Sequence, residues 1–232
     1  MKRKIFPLFA LLLLALSCGN DVVDYWARHG IGYDDVDAAC DRFAVFAEKA
    51  VAAKEEDALA AMDNLFDLLK EDEVAYYLYT DWMDAAFYSP LSPCRSAAMY
   101  AKMNERLSSD GILSENDCAE YRLKLEWIRK NCEGSPAEAP DVCFDGQRTL
   151  VLVLDLGCPS CREALGALSS NPEWDGVRRI AVCCGFGPEP ILPGWEYVYP
   201  EYPTDVFDPG LTPVYFVVAE DGTVESSYKP AV

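Results

Sequence analysis

Histidine occurs once in this sequence, at His29, inside the Gly-bounded stretch RHGIG. It reads as a surface or boundary residue, and a His-based catalytic triad is not expected. Positive charge is scarce as well. The chain has 20 Lys and Arg against 39 Asp and Glu, a formal net charge of −19. A body of that sign repels nucleic acid and anionic head groups. Beyond residue 17 no stretch is long and apolar enough to span a bilayer, and there is neither an internal repeat nor a low-complexity tract. What the chain does have is aromatic residues. At 12% of the sequence they supply core-building material, which separates it from a disordered acidic tail.

The opening stretch, MKRKIFPLFALLLLALSCGN, has a basic start in Lys2, Arg3 and Lys4, followed by an apolar run over 5–16. That run is too short for a spanning helix and has the form of a signal-peptide core. LALSC resembles the lipobox of bacterial lipoproteins, with Cys18 as the lipidated first residue of the mature chain and Ala15 where Leu is commoner. The expectation is a signal peptide over 1–17 and a tether and lead-in over 18–34. The protein would be exported and lipid-anchored in the bacterial cell envelope, facing the periplasm. Removing residues 1–17 takes away three basic residues and no acidic ones, so the charge goes from −19 to about −22.

Residues 35–135 read as an all-α domain. In DDVDAACDRFAVFAEKAVAA, Asp35 can cap a helix whose Val36, Ala39, Cys40, Phe43, Phe46 and Ala47 share a face. Leu59, Met62, Leu65, Phe66 and Leu69 repeat that spacing. A third helix over 73–87 carries Tyr76, Tyr77 and Trp82. A fourth starts at SPCRSAAMYAKMNERL, where Ser92 can cap and Pro93 suits the first helical position. A fifth follows Ser114, which with Asp117 resembles a capping box and leads into Tyr121, Leu125 and Ile128.

EGSPAEAP, 133–140, has the composition of a linker, and the period changes after it, opening a second domain over 136–232. TLVLVLDL reads as a strand buried on both faces. CPSCREALGALSS opens a helix, VRRIAVCC is a second strand, and PVYFVVAEDGTVESSYK reads as two antiparallel strands about Asp221-Gly222. Strand, C-x-x-C at a helix start and a second strand make a βαβ unit. A thiolate at Cys158 would face the unpaired N–H groups and the dipole of that helix, and Cys161 lies one turn on, placed to resolve a mixed disulfide. Thr212-Pro213, just ahead of VYFVV, can adopt a cis bond.

VLDLGCPSCREAL and LTPVYFVVAEDGTV, in that order, resemble a thioredoxin-like domain of the TlpA-like type. DYWARHG, FYSPLSPCRSAAMY, LKLEWIRKN and GSPA resemble an uncharacterised helical domain that precedes such domains in lipoproteins of Bacteroidetes. The resemblance implies a thioredoxin fold, a Cys158/Cys161 disulfide couple, and a cis loop at Pro213 with Thr212 presenting backbone to the substrate chain. The sequence departs from thioredoxin in several places. Gly157 replaces the Trp before the first cysteine, and Leu152 stands where thioredoxin buries an acid. Asp155 is the nearest carboxylate, either a base for Cys161 or a solvated group at a strand end. The segment 185–209 is too Pro-rich for the usual crossover helix, and the chain stops soon after the last strand.

Among the other cysteines, Cys40–Cys94 and Cys132–Cys143 could pair, or each could serve as a small buried hydrophobe. Cys118 and Cys132, if in one helix, are about 21 Å apart and cannot bond. Cys183 and Cys184 should end the second strand on the active-site edge. They could form a second redox pair, complete a zinc site with Cys158 and Cys161, or be plain core thiols. No cofactor and no resident metal are expected. Two function classes remain. The first is an envelope thiol–disulfide oxidoreductase acting on cysteine-containing exported proteins or small disulfides, with a separate redox partner. The second is a non-catalytic binding module with a static disulfide.

Overall fold

The computed structural model describes residues 22–144, 146–185, 187 and 192–230. The signal segment and Cys18 lie outside them. Two compact units divide between Arg122 and Leu123, inside a helix. The sequence pattern had set the change of period near 135. No helix among the described residues is long and apolar enough to cross a membrane.

The first unit is helical: α1 (Tyr25–His29), α2 (Val36–Ala52), α3 (Glu55–Leu69), α4 (Glu73–Phe87), α5 (Ala97–Asp110) and the start of α6 (Glu115–Arg129). Four of these starts, those of α2, α4, α5 and α6, carry a side-chain cap. The Asp35 side chain accepts the Ala38 N–H, and Asp72 accepts those of Val74 and Ala75. The Ser114 hydroxyl accepts the Asp117 N–H at 3.3 Å and donates to the Asp117 carboxylate at 2.7 Å, so the short acid closes the box on the hydroxyl itself. The cap of α5 is Ser96, which accepts the Met99 N–H, and not Ser92. Ser92 instead accepts the Cys94 N–H within two successive turns, 89–92 and 92–95. The Ser96 N–H donates back to Phe87 O, so the chain doubles on itself before the helix can begin.

Helix α3 packs against α1, α2, α4 and α5. Its Ala61, Met62, Leu65, Phe66 and Leu69 are all fully buried. Beside it an aromatic cluster joins Trp26 and Phe46 (5.0 Å) with Tyr79 and Trp82 (4.8 Å). Three side chains expected inside are outside: Val36, Cys40 and Tyr77. Each lies at the margin of its helix's apolar stripe, and the neighbouring helices cover only the centre. Arg106 is the main polar tie of this unit, reaching Asp63 (2.9 Å), Asp67 (2.6 Å) and the buried Asp110 (3.4 Å).

The second unit is built on a five-stranded sheet of order β3-β2-β1-β4-β5: β1 (Thr149–Asp155), β2 (Arg178–Cys184), β3 (Glu196–Val198), β4 (Val214–Val218) and β5 (Val224–Pro230). β1, β2 and β3 are mutually parallel, and β4 and β5 are antiparallel neighbours. Helix α7 (Pro159–Ser170) makes the crossover from β1 to β2. It lays Cys161, Ala164, Leu165 and Leu168 on Leu150, Leu152 and Leu154. The opposite face, Val151, Val153, Ile180 and Val182, meets Phe207 and Phe216 and is covered by irregular chain, including Ala137, Ala139, Val142 and Phe144. No helix follows β5 among the described residues, and only 3-10 turns occur over 199–213. The end of α6 ties that segment down: Trp127 Nε1 donates to Thr204 O (2.8 Å) and the Lys130 ammonium to Asp205 O (2.7 Å).

The stretch read as a linker is hydrogen-bonded to the sheet. The Gly134 N–H donates to Val224 O, Val224 N–H to Ser135 O, and Ala137 N–H to Gly222 O. Its Gly and Pro content forbids a helix, but its main-chain groups still need partners, and the free side of β5 supplies them.

Leu65 is fully enclosed in α3. Leu65→Ala removes its packing and leaves a cavity, so unfolding in urea should show a loss of about 2–5 kcal/mol.

Candidate active site

Strand β1 ends in a tight passage that delivers both cysteines of the CxxC. The Asp155 carboxylate accepts the Gly157 N–H at 2.7 Å, and the Cys158 N–H donates to Asp155 O at 3.1 Å. These two bonds turn the chain out of the sheet and into α7, with Cys158 as the N-cap and Pro159 at the first helical position, where no N–H is missed. The turn after β2 presses on the same passage. Gly185 has φ +77°, and a side chain there would meet Asp155 Oδ1 at 2.7 Å. A side chain on Gly187 would lie 2.6 Å from the Leu156 carbonyl. The Asp155 carboxylate is thus a turn-forming group wedged beside backbone.

The two thiols stand in opposite environments. Cys158 Sγ is half-exposed and 2.9 Å from Ser160 Oγ. Its pKa is held below the ordinary thiol value, first by the Ser160 hydroxyl and then by the Cys161 main-chain N–H and thiol. Cys161 is fully buried, and burial pushes its pKa up to about 11. The Asp155 N–H, which donates to Cys161 Sγ at 3.3 Å, and the Thr212 hydroxyl beside that sulfur pull the other way without cancelling the burial. The Thr212-Pro213 bond is cis and leads into β4, and the single Thr212 hydroxyl proton has Pro209 O, at 3.1 Å, as its alternative acceptor.

Cys158, Cys161, Asp155, Thr212 and Pro213 therefore share one end of the sheet. Cys183 and Cys184 fall on opposite faces of the sheet. Adjacent residues of a strand point to opposite faces. Cys183 belongs to the α7 side, its Sγ directed to Ala181 O, and Cys184 to the valine side. Cys184 sits opposite Asp155, its pKa raised to about 11 by burial first, then by the Asp155 carboxylate and the neighbouring Cys161. A bridge between the two is ruled out in this form. No group of three or more His, Cys, Asp or Glu side chains arranged to hold an ion occurs among the described residues. All nine described cysteines are free thiols, Cys40, Cys94, Cys132 and Cys143 included. His29 ends α1 with Nδ1 2.7 Å from Tyr25 O. Ser160, which the sequence offered only as one of the two residues between the cysteines that set local geometry and donors, is the hydroxyl that meets Cys158 Sγ. A hydroxyl two positions after a helix-capping cysteine was the available signal.

No family model and no curated protein matches the chain. Among solved structures it is similar to a thioredoxin-like protein from Bacteroides caccae ATCC 43185, with a TM-score of 0.71 and 16% identity over 92% of this chain and 89% of that one. The fold is thioredoxin-like, a helical region followed by a mixed sheet with its helix.

Ser160→Ala removes the largest single influence on the Cys158 sulfur. The pH at which iodoacetamide labels Cys158 at half its maximal rate should move upward, because less thiolate is present at a given pH. Cys161 should stay slow until the pH approaches 11.

Proposed function

We propose that the protein is a cell-envelope thiol–disulfide oxidoreductase of the TlpA-like type, acting through Cys158 and Cys161 on disulfides of exported proteins or small molecules. The observation that carries the reading is the asymmetry of the two sulfurs: one half-exposed with a depressed pKa, the other buried and protonated. That is the division of labour thiol exchange requires.

The Cys158 thiolate attacks a substrate disulfide. The substrate S–S bond breaks, one substrate sulfur leaves as thiolate, and the other remains bonded to Cys158. Cys161 then gives up its proton, for which the departing thiolate is a ready acceptor, and attacks Cys158 Sγ. The mixed disulfide breaks, the second substrate thiol leaves, and a Cys158–Cys161 disulfide has formed. The substrate gains two electrons and the protein couple loses two. Run in reverse from the disulfide, the same steps oxidise a dithiol, and a separate redox partner resets the couple in either direction. The two sulfurs carry the electrons, so no cofactor is required. In this reading Thr212, whose hydroxyl lies beside Cys161 Sγ, and the cis Pro213 after it present backbone to the substrate chain.

In this reading residues 1–17 direct export, Cys18 carries the lipid that holds the acidic body at a membrane, and the partners are cysteine-containing proteins of the same compartment. Cys18→Ala should abolish acyl labelling and release the protein from the membrane fraction. Unchanged labelling would overturn the anchor.

Cys161→Ser should accumulate a mixed disulfide through Cys158, since the resolving sulfur is gone, and Cys158→Ser should accumulate none. Non-reducing gels with mass spectrometry read both, alongside loss of insulin reduction in either variant. An absence of trapping and turnover in all forms would favour a binding module instead.

A further inference from the structure

The unit that bears the CxxC leaves few large apolar side chains in water. Among its described residues only Leu123, Tyr199 and Tyr202 are so exposed, and the two tyrosines stand on one short segment, YPEYP over 199–203. This segment follows β3 and lines a cleft of about 480 Å³ together with Leu156 and the turn at Gly185 and Gly187. Through Leu156 the cleft reaches the passage that carries the nucleophile. Leu156 precedes Cys158 by two residues, a reach of about 7 Å at most. Gly187 packs directly on Leu156, as its close approach to that carbonyl requires. β1, β2 and β3 all end on this edge, the edge at which parallel sheets receive ligands.

The lining suits a polypeptide. Pro200 and Pro203 restrict the segment, so little order is lost when something binds, and Tyr199 supplies a broad amphipathic contact surface. Glu201 is exposed on the rim, its carboxylate accepting the Tyr202 hydroxyl. It also borders a second cleft of about 560 Å³ that holds Glu138, Asp141 and Asp205. The described lining of both clefts includes no Lys or Arg. Lys130 approaches from outside, reaching Glu138 at 3.5 Å.

We infer that this cleft receives the partner chain beside its reacting cysteine: an extended polypeptide segment that sets an aromatic or aliphatic side chain against Tyr199 and Leu156 and a basic side chain toward Glu201. The inference rests on the oxidoreductase reading, because the bond to Cys158 sets the register of the bound chain. Exported polypeptides with Lys or Arg within two residues of their cysteine are then exchanged fastest, and acidic neighbours are disfavoured by the same carboxylate.

The test uses two synthetic peptides, each with one cysteine in disulfide linkage to 2-nitro-5-thiobenzoate. One flanks the cysteine with Phe and Lys, the other with Gly and Glu, and hydroxyethyl disulfide serves as the small reference. The wild-type protein should favour the Phe/Lys peptide by about tenfold or more, a difference of roughly 1.4 kcal/mol. Tyr199→Ala should shrink that ratio and Glu201→Lys should invert its charge part, an inversion that a merely damaged fold would not give. A wild-type ratio near one, or a ratio unchanged in both variants, overturns the cleft. Failure of the wild type to react with hydroxyethyl disulfide as well would instead overturn the oxidoreductase reading. Fluorescence anisotropy of the same peptides with Ser in place of Cys then decides the cleft alone. Preference for the Phe/Lys peptide that Glu201→Lys abolishes upholds it, and equal binding of both overturns it.

Discussion

The arrangement depends on how strand β1 leaves the sheet. From Leu150 to Leu154 it is buried on both faces, so every main-chain group along it must be paired. Its pairing with β4 ends at Val153 opposite Val214, and the next N–H facing that side, at Asp155, has no strand partner. It donates to Cys161 Sγ instead. A sulfur takes the place of a carbonyl at the end of the ladder. That one substitution fixes Cys161 under the sheet edge, keeps it dry, and sets the first turn of α7 so that Cys158 lies at its rim. The difference between the two thiols is a consequence of strand termination.

Much of this was legible in the sequence because it rests on local patterns. The unbroken TLVLVLDL run, the CxxC ahead of an apolar helix stripe and the DG turn each specify their element with little help from distant residues, and the sheet has the strands so expected. The caps at Asp35 and Ser114 were legible for the same reason. Ser92 was not, because a Ser-Pro step serves a turn as well as a helix start, and the bond from Ser96 back to Phe87 that decides between them is nonlocal. The vicinal cysteines mislead in another way. Adjacency in sequence suggests a pair, but the two-residue period of a strand sends Cys183 and Cys184 to different cores. Ser160 was visible as a residue, but its closeness to Cys158 Sγ depends on the rotamers of both.

The helical unit answers to a different constraint. With many acidic side chains and few basic ones, it gathers cations where the carboxylates are densest. Arg106 and Lys102 meet Asp63, and Lys70 meets the buried Asp110. The Arg106 guanidinium also lies over the Phe66 ring at 5.5 Å, so charge and core share a boundary there. The tyrosine hydroxyls buried nearby use carboxylates as acceptors, Tyr76 to Asp110 and Tyr100 to Asp84. Acidity that reads in the sequence as a solvated surface is in part a set of acceptors for buried donors.

The stretch over 134–137 that lies along β5 bears on how the sheet meets other extended chains. An open sheet has two flanks, each a row of main-chain donors and acceptors to which a stray extended chain can add. Here one flank is β3, only three residues long. The other is occupied at its start by the protein's own residues, with Glu225 and Lys229 as charged neighbours along the remainder. Little continuous backbone is left for a neighbouring molecule to zip onto. An oxidoreductase of the proposed kind, met by unfolded, cysteine-bearing chains, would thus offer them few places to add as a further strand.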